Sequence, residues 1–255
     1  MDDLDVRHEG GFFSCCSVRL YFLILFFNKF KKLPKIFNTT GFFTWYKLNT
    51  TDDITFDYFK HYNDIDITIP YTSDIDYHEA YQYKNYKDLD LKRLSIFIKK
   101  YYTPNDNIIN IKKEITLKYN IDYDNTCVLF YRGNDKATET RLPSFDNYLK
   151  YANEVLLKSP NIKFLIQSDE TNFLNYMKNH YPNNSIILND EIRHIYKMNT
   201  TVDKVNPELN YDYSLKYLAI TLIMSECKYV LCNTGNCSIW IVFFRNNTDN
   251  IIQIY

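Results

Sequence analysis

Arg132, Gly133, Asn134, Asp135 and Lys136 stand directly after the apolar run Thr126–Tyr131, and that order of residue types suits an anion. An arginine offers a planar, forked donor to a phosphate or pyrophosphate. A glycine lets the backbone turn closely beneath it. Asp135 is placed either to hold Arg132 or to bond a ligand hydroxyl, and Lys136 adds a second positive charge. Glu139 lies close by in sequence and reads either as a base or as a solvated carboxylate. A second loop, Thr234, Gly235, Asn236, Cys237 and Ser238, follows another apolar run and opens a helical pattern. Its backbone N–H groups and hydroxyls suit a phosphate. Asp169 follows a third run and reads either as an acceptor for ribose or base, or as a cap for the next helix. Gly10 and Gly11 open the apolar stretch Phe12–Phe27. The chain has five glycines, and only Gly41 lies outside these loops. Each loop alone is equally an ordinary turn. Together, with an arginine in the middle one, they point toward a nucleotide-sugar site.

Other chemistries find less support. Cys227, Cys232 and Cys237 are five apart, wider than zinc-ligand spacing, and Cys15 and Cys16 are adjacent, awkward for a structural disulfide. The expected state of the six cysteines is reduced and buried, which suits the cytoplasm. The endomembrane lumen is the alternative, because Asn38, Asn49, Asn199 and Asn246 each begin a glycosylation-like triplet. An Asn-rich chain produces such triplets by chance. The histidines show no paired spacing, so no metal and no cofactor is expected. A net charge of −1 gives no support to nucleic-acid binding.

The elements that must position these residues follow from periodicity. Phe12–Phe27 is about sixteen residues, shorter than the ~20 that span a bilayer, and it holds Arg19. The expectation is a buried helix and no stable membrane span. Lys35–Tyr46 reads as a strand and 50–85 as a loop-rich segment. Leu91–Tyr102 and Ile108–Tyr119 read as helices. From about residue 125, strands and helices alternate: strands at Thr126–Tyr131, Ile162–Gln167, Ser185–Leu188, Tyr229–Cys232 and Ile251–Tyr255. Between them lie helices at Phe145–Lys158, Asn172–His180, Ser214–Cys227 and Cys237–Phe244. Such alternation argues for a parallel, helix-covered α/β sheet.

Four blocks carry a likeness. Val128–Glu139 resembles the pyrophosphate-binding segment of the α1,6-fucosyltransferase and nodulation fucosyltransferase group. Phe164–Pro182 and Ala219–Trp240 resemble the segments that follow it there, and His8–Ser14 is similar to the glycine loop of that group's first domain. The resemblance implies a GT-B fold: two Rossmann-like domains facing a ligand cleft. Residues 1–120 would be the small acceptor-side domain and 121–255 the nucleotide-sugar domain. It implies an inverting, metal-independent transfer from a nucleotide-sugar donor, GDP-fucose in the family, to a glycan or glycoprotein acceptor. By the same likeness Arg132 stabilises the departing β-phosphate, Asp135 and Lys136 match the family's Asp-Lys pair, and Glu139 and Asp169 match family carboxylates. The chain departs from the pattern at Gly133, where the family has a second arginine, at Phe130 and at Ile220. These departures keep open a degenerate protein that binds a glycan or nucleotide without turning it over, or an interaction protein that reuses the scaffold.

Overall fold

In the computed structural model, residues 3–197 and 199–255 are described. The chain begins with β1 (Asp3–Arg7), α1 (Phe12–Phe30) and β2 (Ile36–Gly41). Next come α2 (Thr55–Tyr58), α3 (Leu91–Tyr101) and α4 (Asp106–Lys118). The sheet region holds β3 (Thr126–Tyr131), α5 (Phe145–Lys158), β4 (Lys163–Ser168), α6 (Thr171–His180) and β5 (Ser185–Ile186). It ends with α7 (Val202–Val205), α8 (Asn210–Glu226), β6 (Tyr229–Asn233), α9 (Asn236–Arg245) and β7 (Ile251–Ile254).

The five strands β3–β7 form one parallel sheet in the order β5-β4-β3-β6-β7. Every residue of β3 is buried, as a central strand covered on both faces requires. Right-handed crossovers put α5 and α6 on one face and α8 and α9 on the other. The chain leaves β3 toward β4 and later returns to β3's other side as β6. That reversal makes the β3/β6 junction a topological switch point, where ligands of such sheets bind. The register sets Phe130 level with both Gln167 and Cys232. Arg132, Asp169 and Thr234 therefore emerge along one rim.

The first 120 residues contain a smaller, parallel β1–β2 pair. The strand β1 has no counterpart in the periodicity. The expected strand over Lys35–Tyr46 is a correction: pairing stops at Gly41, and Phe43 turns the chain at φ 58° into a short 3-10 turn at Thr44–Tyr46. A strand cannot continue through a left-handed residue. Ser185–Leu188 likewise pairs only over Ser185–Ile186.

The helix α1 is long and apolar enough to cross a membrane, with mean hydropathy 1.3, and 61% of its most apolar window is buried in the fold. It packs against α9, where the Trp240 indole N–H donates to Ser17 Oγ at 2.9 Å. Arg19 is fully buried and donates to the Tyr101 carbonyl at 3.2 Å, with Phe37 and Tyr102 rings about its guanidinium. Apolar contacts run continuously from α1 through α3 to β7, and all six cysteines are buried and unpaired.

Candidate functional site

The switch point is bridged by one side chain. Asn233, at the end of β6, accepts from the Arg132 backbone N–H and donates to the Arg132 carbonyl, each at 2.9 Å. This reciprocal pair fixes the start of the Arg132 loop against the start of the Gly235 loop. The Arg132 guanidinium then forks onto two carboxylates, Asp169 at 2.7 Å and Asp135 at 3.0 Å. Asp169 does not cap α6. Its second oxygen accepts from the Gly133 N–H at 2.9 Å, and Asn134 donates to its carbonyl. A Cβ at Gly133 would sit 2.1 Å from Glu170 Oε2 and 2.8 Å from the Tyr131 ring, so a larger residue there would have to displace those side chains. The same carboxyl occupies the space a second arginine at position 133 would need. The left-handed turn falls on Asn134, at φ 43°.

Lys136 points the other way along the rim. Its ammonium is buried and bonds Glu139 at 2.5 Å and Gln82 at 2.9 Å, while Tyr83 donates to the same Glu139 oxygen at 2.7 Å. Gln82 and Tyr83 come from the loop-rich segment, which β7 holds through Gln253 bonding Tyr86 and Lys84. The Tyr86 hydroxyl in turn lies within hydrogen-bond reach of the Gly235 backbone N–H, at 3.3 Å. No sequence pattern announces these residues, because they act from irregular backbone.

Two helices begin at this rim, α1 after Gly11 and α9 after Gly235; neither glycine has a side chain to cap its helix, and at α1 the Tyr46 hydroxyl accepts from the first N–H, that of Phe12, at 2.7 Å. Gly235 takes φ 156°, which favours a residue without a Cβ. Helix starts leave backbone N–H groups without intrahelical acceptors and carry the positive end of the helix dipole. Both face one cavity of about 290 Å³, lined also by Arg132, Asp135, Lys136 and Glu139. A smaller chamber of about 60 Å³ adjoins it and shares Tyr46, Arg132, Asp203 and Tyr217.

Of the residues singled out from the sequence, Gly10, Gly11, Arg132, Asp135, Lys136, Glu139, Gly235 and Asn236 line the main cavity. Asp169 lines the smaller chamber. Thr234 lines a separate groove, and Ser238 is fully buried with its hydroxyl on the Asn233 carbonyl at 2.5 Å. The structure therefore gives neither hydroxyl to the main cavity. Missed from the sequence were Tyr46, Asp203, Tyr217 and Asn233. Only Asn233, polar at the end of a buried strand, left a readable signal.

Ionisation differs among the carboxylates. Burial raises Asp135 above the usual range, with Arg132 working against it and Asp169 and Glu139 adding to it. Burial also pushes Glu139 upward, but hydrogen bonds from Lys136 and Tyr83 prevail and hold it below the usual range. Burial lowers the Lys136 ammonium, opposed by Glu139. Among the described residues, no three of His, Cys, Asp or Glu gather in a way that could hold a metal ion.

No family model matches this chain, and no curated protein matches its sequence.

Proposed function

We propose that this cavity binds the diphosphate of a nucleotide-sugar and that the protein is an inverting, metal-independent glycosyltransferase, of the fucosyltransferase type its motifs resemble. In this reading the parallel α/β sheet is the donor half of a GT-B arrangement and the β1–β2 region belongs to the acceptor half. One observation carries the proposal: two helix starts, Arg132 and Lys136 face a single cavity at a topological switch point. Breaking the sugar–phosphate bond leaves both bonding electrons on the departing diphosphate. Fixed positive charge and aligned N–H groups stabilise that charge without reorganising. The acceptor hydroxyl forms the new bond from the opposite face of the sugar and gives its proton to a carboxylate. Asp135 fits that role better than Glu139, since a raised pKa makes the stronger base.

The second reading, a protein that binds donor without turnover, has its own support. Arg132 is already forked onto Asp169 and Asp135, and the Glu170 carboxyl sits where a side chain at position 133 would begin. Incubating the protein with a panel of nucleotide-sugars separates the two. Release of nucleoside diphosphate, slow without acceptor and faster with glycan, is the expected outcome. Binding without any release would replace the enzyme with the degenerate binder, and no binding would end both.

A further inference from the structure

Beside the phosphate cavity lies an open groove of about 680 Å³. The chain passes from one to the other at two points. Gln82 and Gly235 line the cavity, and their immediate neighbours in sequence, Tyr83 and Thr234, line the groove. The Tyr83 hydroxyl is spent on Glu139 at 2.7 Å, and the Lys136 ammonium lies over one face of its ring, 4.9 Å from the centre. The other face is left to the groove. Tyr255 stands on the same groove, so two phenol rings are open there, Tyr83 at 40% and Tyr255 at 63% exposure.

The polar groups around these rings are unspent. Thr234 is only 7% exposed, yet among the described residues its hydroxyl has no hydrogen-bond partner. A hydroxyl so far buried needs one. Ser144 caps α5 and gives its hydroxyl proton to Asn147 Oδ1 at 2.6 Å, so the Asn147 amide keeps both N–H donors for the groove. Arg141 is exposed on the same groove and meets no carboxylate among the described residues, and none of the lining side chains is acidic. Flat apolar rings, neutral donors and acceptors, and one unopposed cation match a sugar chain. The C–H faces of pyranose rings pack on aromatic rings, and ring hydroxyls exchange hydrogen bonds with Thr234 and Asn147. An arginine fork matches a carboxylate.

We infer that this groove seats a carboxylate-bearing oligosaccharide, with Arg141 on the carboxylate, Thr234 and Asn147 on ring hydroxyls, and Tyr83 and Tyr255 against sugar faces. Its role as the acceptor rests on the transfer proposed above; its binding does not. The position suits an acceptor. Thr234 immediately precedes Gly235, so a sugar held at Thr234 lies at the rim where a donor diphosphate would sit.

Calorimetric titration of the full chain tests the binding. The acidic probes are oligogalacturonate, heparosan oligosaccharide and sialyllactose. Methyl-esterified oligogalacturonate and lactose are the neutral controls, and hexaglutamate is an anion without sugar. At least one acidic saccharide is expected to bind on the order of tenfold more tightly than its neutral control, the scale of one hydrogen bond to a charged group. Hexaglutamate is expected not to bind. Arg141→Gln should bring the acidic saccharide down to the neutral level, and Tyr255→Ala should weaken both, with affinity for inorganic pyrophosphate unchanged in each. No binding of any acidic saccharide, equal binding of the neutral controls or of hexaglutamate, or unchanged affinity in Arg141→Gln overturns the assignment. In the nucleotide-sugar assay above, the saccharide that binds should speed release of nucleoside diphosphate. Release that ignores a bound saccharide removes the acceptor role alone. No release from any donor, with saccharide binding intact, removes the transferase reading and leaves the groove.

Discussion

Arg132 does two things, and a substitution there must separate them. It faces the cavity with part of its side chain and neutralises Asp169, whose side chain is 5% exposed. Arg132→Ala should lower turnover by about 10²–10³, the scale of losing one preorganised charge-stabilising group. It should also lower the melting temperature, because an unpaired buried carboxylate is left behind. The pairing with Asp169 ties this residue to stability as well as to rate. Arg132→Lys keeps a positive charge but not the fork, so it should recover stability more fully than rate. Full activity in Arg132→Lys would show that the fork is structural only. Asp135 gives a second prediction. Its folded-state pKa lies above its unfolded value, so the fold holds this proton more tightly than the open chain does. Its ionisation therefore costs stability as pH rises through that window, fully so above the folded value. Asp135→Asn should melt higher than wild type at neutral pH yet transfer sugar about 10²–10⁴-fold more slowly. Wild-type kcat/KM should rise with pH through a value above the ordinary carboxylate range, and the variant should lack that limb. A pH profile unchanged in Asp135→Asn would remove the residue from the proton transfer.

At the scale of elements, α1 and α9 matter most, since their starts form the cavity's positive rim. Their packing depends on Trp240 against Ser17 and on Arg19 reaching across to α3. Arg19 is fully buried, meets no carboxylate among the described residues, and leaves its Nε unpartnered. Charge taken out of water without a paired anion is a cost, offset here by the rings of Phe37 and Tyr102. Arg19→Met, similar in volume and adaptable in shape, should melt at or above wild type. A melting temperature lower by several degrees would show that the Tyr101 contact outweighs desolvation. Trp240→Ala should cost about 3–5 kcal/mol in chemical denaturation, the range for deleting a large buried aromatic. It should loosen nucleotide binding as well, by freeing the α9 start. Equal loss of stability with unchanged binding would separate the packing of α9 from the site.

For the molecule as a whole, folding and donor binding are linked. A nucleoside diphosphate that binds only the folded state should stabilise it by about 2.7 kcal/mol at a hundredfold excess over Kd. The shift in melting temperature should persist in EDTA, because the phosphate charge would be met by Arg132, Lys136 and helix starts. A shift that vanishes on chelation and returns with Mg²⁺ or Mn²⁺ would place the protein in a metal-dependent class. The apolar core that joins the first 120 residues to the sheet predicts one cooperative unfolding transition. Two separate transitions by calorimetry would support independent halves.

Local pattern determined a good deal. Runs buried on both faces marked β3, β4 and β6, and 3.6-residue spacing marked α5 and α6. Parallel strands end their runs on one rim, so loops after those runs had to share it. That is why Arg132, Asp135, Lys136 and Gly235 could be named as neighbours from sequence. Tertiary structure decided what no spacing encodes. Tyr83 and Gln82 reach Lys136 from a segment without periodicity, because Gln253 on β7 pins that segment from far along the chain. Asp169 is committed to Arg132 rather than to a helix cap, and Ser238 turns inward to Asn233. Hydrogen-bond partners are chosen by distance in space, and a residue type can state only what it is able to bond.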